Sequence, residues 1–168
     1  MHEAAYHGEA DAVRSLLDLG ANIEARGKGL WTPLHAASEG GHPNVVQLLL
    51  ERGAHLEAKN DWGCTPLCAA ASDGKVDAVR SLLVHGANIE TRDKNLWTPL
   101  HAATNGGHPD VVQLLLERGA SIYAQNNDRQ TPVQLAVNKE TRRLYGCSQN
   151  TTSKSNIRNE NYLSQHYC

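Results

Sequence analysis

The stretch LWTPLHAASEGGHPNVVQLLLERGA at residues 30–54 decides the fold, because the chain repeats it almost letter for letter at residues 96–120. A Thr-Pro pair near its start and a Gly-Ala pair at its end both recur along the chain at one constant interval. The Thr-Pro pairs begin at Thr32, Thr65, Thr98 and Thr131, and the Gly-Ala pairs begin at Gly20, Gly53, Gly86 and Gly119. A fixed period of 33 residues indicates one structural unit that is stacked on copies of itself.

A second period, twice as long, lies over the first. Besides the quoted stretch, DAVRSLLDLGANIE at residues 11–24 returns nearly unchanged at residues 77–90. Duplication of a block of two units is the simplest history that explains both periods. The identity of the copies therefore reflects shared descent and is by itself weak evidence of function.

Each unit is predicted to contain two short helices. A threonine caps the first helix and proline takes its first turn, where the missing N–H costs nothing. A Gly-Gly pair ends this helix, and a second helix with an apolar face at residues 45–50 ends at the next glycine. Helices this short are unstable alone, so the units must stack. The structural residues predicted in this way are Thr32, Pro33, His35, Thr65, Pro66, Thr98, Pro99, His101, Gly53, Gly86 and Gly119.

The motif TPLHAA at residues 32–37 and 98–103, with a single change to Cys68 in the copy at residues 65–70, resembles the ankyrin-repeat family. The resemblance covers roughly residues 1–145. It implies an all-α repeat solenoid in which each unit is two antiparallel helices followed by a projecting β-hairpin finger. It also implies that the fingers and first helices line the concave face of a curved stack.

Departures from the repeat pattern mark the ends of the array. We number the units from one to five and expect a partial capping unit at 1–26, full units at 27–59, 60–92 and 93–125, a degenerate unit at 126–146 and a disordered tail at 147–168. The first unit lacks a finger and a Thr-Pro pair, and its polar start suits a cap. The fifth offers only Leu144 and Tyr145 where its second helix needs an apolar run. The tail is polar and has no period.

The finger turn departs from the family pattern as well. The place two residues before the Thr is glycine at Gly63, whereas the other units have Leu30, Leu96 and Arg129 there. Leucine is costly at positive φ, so the left-handed residue is predicted to move one place back, onto Gly29 and Asn95.

Composition and motifs argue against several function classes. The 168 residues carry a formal net charge of −2, and neither a signal peptide nor a membrane-spanning run is evident. Four cysteines without a disulfide framework favour a reducing compartment, so we expect a cytoplasmic or nuclear protein. The glycosylation sequon at Asn150 is a tripeptide that is common by chance, so it is weak evidence of glycosylation. Phosphate loops, nucleophile elbows and HExxH are all missing. We therefore expect no enzyme, no catalytic residue and no cofactor.

Histidine and cysteine recur at one repeat position, which raises the question of a metal. On stacked helices His35, Cys68 and His101 would stand about 10 Å from one another. A zinc ion needs each ligand atom within about 2.3 Å of itself, so these side chains are too far apart to share one. Cys64 and Cys68 have no second pair of ligands. The sequence therefore predicts no metal site, and the resemblance implies instead that these histidines hydrogen-bond within and between units.

Binding residues are expected where the units differ from one another. By resemblance, the residues before Thr-Pro and at the ends of the first helices face the concave groove. The predicted partner-binding residues are Trp31, Trp62, Cys64, Trp97, Lys28, Asp61, Lys94, Glu39, Ser72, Asp73, Asn105 and Tyr6. Tryptophan at a finger is costly to leave exposed and is enriched in interface hot spots. The alternative is that each indole packs onto its own finger, over Leu30 or Leu96.

These observations favour a non-catalytic, monomeric protein-interaction module that binds another protein or a peptide segment and no membrane. Family members act as adaptors, inhibitors or substrate-recruiting parts, and the sequence does not choose among these roles. One alternative is a recently duplicated or fragmentary structural protein with no settled partner. A lesser alternative is nucleic-acid binding through the finger lysines and arginines.

Overall fold

The fold is seen in a computed structural model that describes residues 1–137. In it, short helices alternate with turns along the chain. The helices are α1 His2–Tyr6, α2 Ala10–Asp18, α3 Pro33–Gly40, α4 Pro43–Glu51, α5 Pro66–Ser72, α6 Val76–Val84, α7 Pro99–Gly106, α8 Pro109–Glu117 and α9 at 132–137. The second helix expected in unit five, the sequon at Asn150 and the expected tail at 147–168 lie outside the described residues.

The helices form two layers. The first helices of the units, α1, α3, α5 and α7, contact one another in sequence order. The second helices, α2, α4, α6 and α8, do the same in the other layer, and each first helix also packs on the second helix of its own unit. The stack therefore grows by one helix pair per unit.

Leucines at repeat-equivalent positions form the core between these layers. Leu34, Leu67 and Leu100 of the first helices are each 1% exposed. Leu49, Leu82 and Leu115 of the second helices are fully buried. Because units two to four bury these leucines in one continuous core cluster, the stability of the array comes from the contacts between units.

The Thr-Pro pairs begin the first helices, because the threonine hydroxyl accepts a hydrogen bond from a backbone N–H of the first turn. In unit two the Thr32 hydroxyl accepts a hydrogen bond from the His35 backbone N–H, and the His35 ring accepts one from the Thr32 backbone N–H. Thr98 and His101 form the same reciprocal cap in unit four. Proline follows each threonine without losing a bond, since the first N–H groups of a helix have no partner inside the helix.

The fingers differ from the expected β-hairpins, because no residue within 1–137 lies in a β-strand. In the first finger a backbone bond of 2.8 Å from Gly27 N–H to the Trp31 carbonyl closes a tight turn. Other bonds run along the stack, from Asp61 N–H to Gly29, from Lys94 N–H to Trp62 and from Asn127 N–H to Asn95. Each finger is too short for a β-ladder of its own. Besides the bond that closes its turn, it bonds to the neighbouring fingers.

The prediction for the finger turn was wrong. Leu30, Leu96 and Arg129 have positive φ of 57°, 60° and 60°, at the place where Gly63 has 78°. Gly29 is also left-handed, at 68°, but Asn95 is not among the positive-φ residues. The cause is the hydrogen-bond frame of the turn. In each finger the N–H of this residue binds the carbonyl three places earlier, at 2.9 to 3.1 Å, whatever side chain it carries.

We expect Leu30→Gly and Leu96→Gly to stabilise the protein. A left-handed leucine costs about 1–2 kcal/mol, and part of that gain is lost to the greater freedom of glycine in the unfolded chain. Each change should therefore raise the free energy of unfolding by about 1 kcal/mol, measured by urea denaturation. Leu19→Gly, at a residue with φ of −81°, is the control and should not stabilise. Lower stability in both finger variants would contradict the strain argument.

Candidate functional site

A row of histidines joins successive units along the first helices. The ring Nε2 of each lies within hydrogen-bond distance of a backbone carbonyl in the next unit: His2 to Trp31 at 2.9 Å, His35 to Cys64 at 3.0 Å and His101 to Gln130 at 3.1 Å. A carbonyl oxygen only accepts, so Nε2 must donate. In His35 this leaves a bare Nδ1, which lies 2.8 Å from the Thr32 hydroxyl.

Burial keeps His35 and His101 of this row uncharged at neutral pH. His35 and His101 are fully buried. Burial lowers the pKa of His35 to about 4 and also lowers the pKa of His101. Residues 1–137 contain no group of three or more His, Cys, Asp or Glu side chains placed to hold a metal ion. The described histidines of this row therefore hold the stack together.

His2 is a residue of this row that sequence analysis missed. It stands one full period before His35, so the period alone could have identified it. The missing Thr-Pro pair in unit one hid the equivalence. Cys68 occupies the corresponding place in unit three, where its N–H donates to the Thr65 hydroxyl and its side chain packs in an apolar cluster. The boundary between units three and four therefore lacks a ring at this repeat position. The ring of His108 bridges it instead at the other end of α5, with Nε2 2.8 Å from the Ser72 carbonyl.

The tryptophans pack across unit boundaries. Trp31 is half-buried against a small cluster of Cys64, Cys68 and Ala69 in unit three. Trp62 lies over the preceding finger, where a Cβ placed on Gly29 would be 2.9 Å from its ring. Trp62 therefore does not pack on its own finger, which is the alternative considered from the sequence, whereas the Trp31 ring also lies close to Gly29 of its own finger. These two indoles fill space between neighbouring units and leave only part of each ring accessible.

Cys64 must be removed from the predicted binding residues. Its side chain is 5% exposed, and its thiol donates to the Thr65 carbonyl at 3.4 Å. It stands in the same repeat position as Trp31, but it is small enough to lie beneath the indole of the preceding unit. A buried thiol offers no contact surface to a partner.

We expect Trp31→Ala to destabilise the protein by about 2 kcal/mol, since truncating a fully buried tryptophan costs about 3–5 kcal/mol and this ring is half-buried. The control is Tyr123→Ala, because Tyr123 is 81% exposed and should contribute little. Urea denaturation of both variants measures the difference. Equal stabilities would mean that the Trp31 ring contributes nothing to the stack.

Several recurring charges of the fingers are bound between units. The Arg26 guanidinium donates to the Lys59 carbonyl at 2.9 Å, and the Lys59 ammonium donates to the Arg92 carbonyl at 3.0 Å. Arg92 continues the series to Gln125 at 3.3 Å. Glu24, Glu57 and Glu90 each accept from a backbone N–H of the next unit. The charged candidates that stay exposed on the fingers are Lys28, Asp61 and Lys94.

The ends of the first helices carry a second row that differs from unit to unit. Its members Tyr6, Glu39, Ser72 and Asn105 occupy one repeat position, with Asp73 beside Ser72. Tyr6 is 38% exposed and the others are half-buried. Burial, together with the nearby Asp73 carboxylate, raises the pKa of Glu39 to about 7, although Lys75 opposes this. Glu39 is therefore close to half-protonated at neutral pH.

A cavity of about 390 Å³ lies between α1 and the first finger. It is lined by residues of both rows and of the finger, including His2, Tyr6, Lys28 and Trp31. Its walls combine aromatic surface with one cationic side chain, Lys28, and one anionic side chain, Glu3. The cavity thus adds a recess to the surface formed by the fingers and first helices.

The geometry defines a helical repeat solenoid, and comparison with known proteins identifies its family. The family model for ankyrin repeats matches in three copies, at residues 1–60, 53–126 and 91–150, and the chain therefore belongs to the ankyrin-repeat family. Ankyrin repeats are in general non-catalytic modules for protein–protein interaction. No curated protein matches the chain at a significant level. Within residues 1–137 every helix is too short or too polar to cross a membrane.

Proposed function

We propose that this protein binds another protein or a peptide segment through the concave face formed by its fingers and first helices, and that it catalyses no reaction. The supporting observation is that two sets of residues on that face have different surroundings. Recurring side chains such as His35 and Arg26 are bound between units, whereas Lys28, Asp61, Lys94 and Tyr6 vary between units and are exposed. Variable exposed residues on a rigid scaffold are the usual place for recognition.

The charge of this face suits a partner of mixed chemistry. Lys28 and Lys94 favour carboxylates on the partner, and Asp61 between them favours a basic group. Trp31 and Tyr6 add aromatic surface beside Lys28 in the cavity. A monomer in the cytoplasm or nucleus that acts as adaptor, inhibitor or substrate-recruiting part fits these features.

The alternatives find less support. Nucleic-acid binding needs a row of cations that reach phosphates, but Arg26, Lys59 and Arg92 already donate to backbone carbonyls. The exposed finger cations Lys28 and Lys94 are separated by the acidic Asp61. A purely structural role without a partner gives no part to the variation between units at Lys28, Asp61 and Lys94. It is the alternative that the experiment below distinguishes.

The test is capture from cell lysate with two matched double variants. Lys28→Glu with Lys94→Glu reverses two exposed finger charges that lie two units apart. Arg14→Glu with Arg80→Glu reverses two exposed charges with the same separation on the second helices. We expect a protein that is captured by the wild type and the second variant but is reduced about tenfold or more with the first. Equal capture by all three, loss with the second variant, or no capture would contradict the proposal.

A further inference from the structure

Two leucines on the fingers are both strained and exposed. Leu30 and Leu96 hold left-handed backbone, yet 47% and 41% of their surfaces remain exposed to solvent. Gly63 makes the same turn in the finger between them without strain. The hydrogen bonds of the turn fix this backbone conformation, but they do not require a leucine, and core packing does not explain a leucine that is nearly half exposed. A strained residue that its turn does not require is a mark of a functional site.

The surroundings of these two leucines are alike. Each stands two residues after an exposed lysine, Lys28 or Lys94, and directly before a half-buried tryptophan. The two places are two units apart, which on stacked helices is about 20 Å. The finger between them offers Asp61 where the others have lysine. The finger row thus presents an apolar and basic site, an acidic site and a second apolar and basic site.

We propose that Leu30 and Leu96 are paired anchors for one acidic segment of a partner protein, an inference that rests on the proposed function. The segment carries two apolar side chains about 20 Å apart, which is about 13 residues of α-helix. Carboxylates beside each apolar side chain pair with Lys28 and Lys94. A basic residue near the middle of the segment faces Asp61. Charge complementarity sets the register, and the two leucines provide the apolar contact.

A stabilising substitution makes this proposal testable. Leu30→Gly with Leu96→Gly removes both anchors while relieving strain, so a loss of binding cannot be attributed to unfolding. Arg129→Gly is the matched control, because Arg129 has the same left-handed backbone in the next finger without an apolar side chain. The urea midpoint of each variant is measured alongside binding to show that the fold is retained.

The probe is a displayed library of random peptides about 20 residues long, which as helices span about 30 Å. We expect the wild type to select peptides with an acidic and apolar cluster at each end and a basic residue between the clusters. Their affinity should fall about tenfold or more for the double leucine variant. Each single leucine variant should lose part of that affinity, and Arg129→Gly should bind like the wild type.

The outcomes separate the two proposals. Peptides that lose affinity for Lys28→Glu with Lys94→Glu but bind the double leucine variant normally would overturn the leucine anchors and leave the proposed function standing. Loss with only one of the single leucine variants would overturn their pairing. Selected peptides that are basic would overturn the acidic partner. Failure to select any peptide, or loss of affinity for the Arg14 and Arg80 variant, would count against the proposed binding face itself.

Discussion

Acid should lower the free energy of unfolding by about 3 kcal/mol through His35 alone, between pH 6.5 and about pH 4. Burial lowers the pKa of this ring in the folded state to about 4, whereas in the unfolded chain it has its ordinary value of 6.5. In that interval the unfolded state binds the proton and the folded state does not. Stability is therefore complete above pH 6.5 and falls as the pH falls toward 4.

The chain itself supplies the variant that isolates this effect. Gln134 occupies the equivalent place in unit five, where its amide oxygen accepts from the Thr131 backbone N–H at 2.8 Å. His35→Gln should thus keep the helix cap but lose the titration. Denaturant unfolding of both proteins at a series of pH values gives the difference between their free energies. A difference that stays constant from pH 7 to pH 4 would refute the prediction.

Glu39 makes the comparison with a variant necessary. Its pKa is raised to about 7, so its folded state binds the proton more strongly than the unfolded state does. Glu39 therefore adds stability as the pH falls below 7, which opposes the effect of His35 in the same interval. The wild-type curve alone would mix the two contributions. Because both proteins retain Glu39, its contribution cancels when their curves are subtracted.

Leu67→Ala should destabilise the protein by about 3 kcal/mol, within the range of about 2–5 kcal/mol for buried leucines. Leu67 is 1% exposed in α5, the first helix at the middle of the described stack, which contacts α3 on one side and α7 on the other. The cavity left by alanine would weaken two boundaries between units at once. Since a repeat array is held by its nearest-neighbour contacts, unfolding should also become less cooperative.

The control for this prediction is Leu19→Ala. Leu19 is 85% exposed at the end of α2, so its truncation should change stability by less than about 0.5 kcal/mol. Urea unfolding followed by circular dichroism measures both variants. Similar midpoints for the two variants would show that burial of Leu67 does not stabilise the array.

The fold could be predicted from the sequence because each unit repeats the same local chemistry. The period, the Thr-Pro caps and the helix-ending glycines suffice for a helical solenoid, and that prediction is confirmed by the family match. The strained turn at Leu30 could not be predicted from residue preference. Hydrogen bonds within the turn and to the next finger set its backbone, and they override the cost of the side chain.

The candidate site was only partly accessible to sequence reasoning. The burial of Cys64 depends on the indole of the preceding unit, which is a contact between units that no single unit encodes. The same holds for Trp62 over Gly29. The assignment of the exposed residues Lys28 and Lys94 as binding residues stays a prediction. The unit boundaries and the disordered tail at 147–168 also stay predictions.

The histidine ties of the stack lie at different ends of the first helices, which has a mechanical consequence. His35 ties unit two to the finger of unit three, whereas His108 ties unit four to unit three at the far end of the first helix, through the Ser72 carbonyl. The fingers of units three and four therefore lack the ring tie that holds the preceding pair, and we expect them to move relative to each other more than that pair does. Leu30 lies on one side of this joint and Leu96 on the other. Small pivoting about the His108 tie would thus let the finger row fit segments of slightly different length.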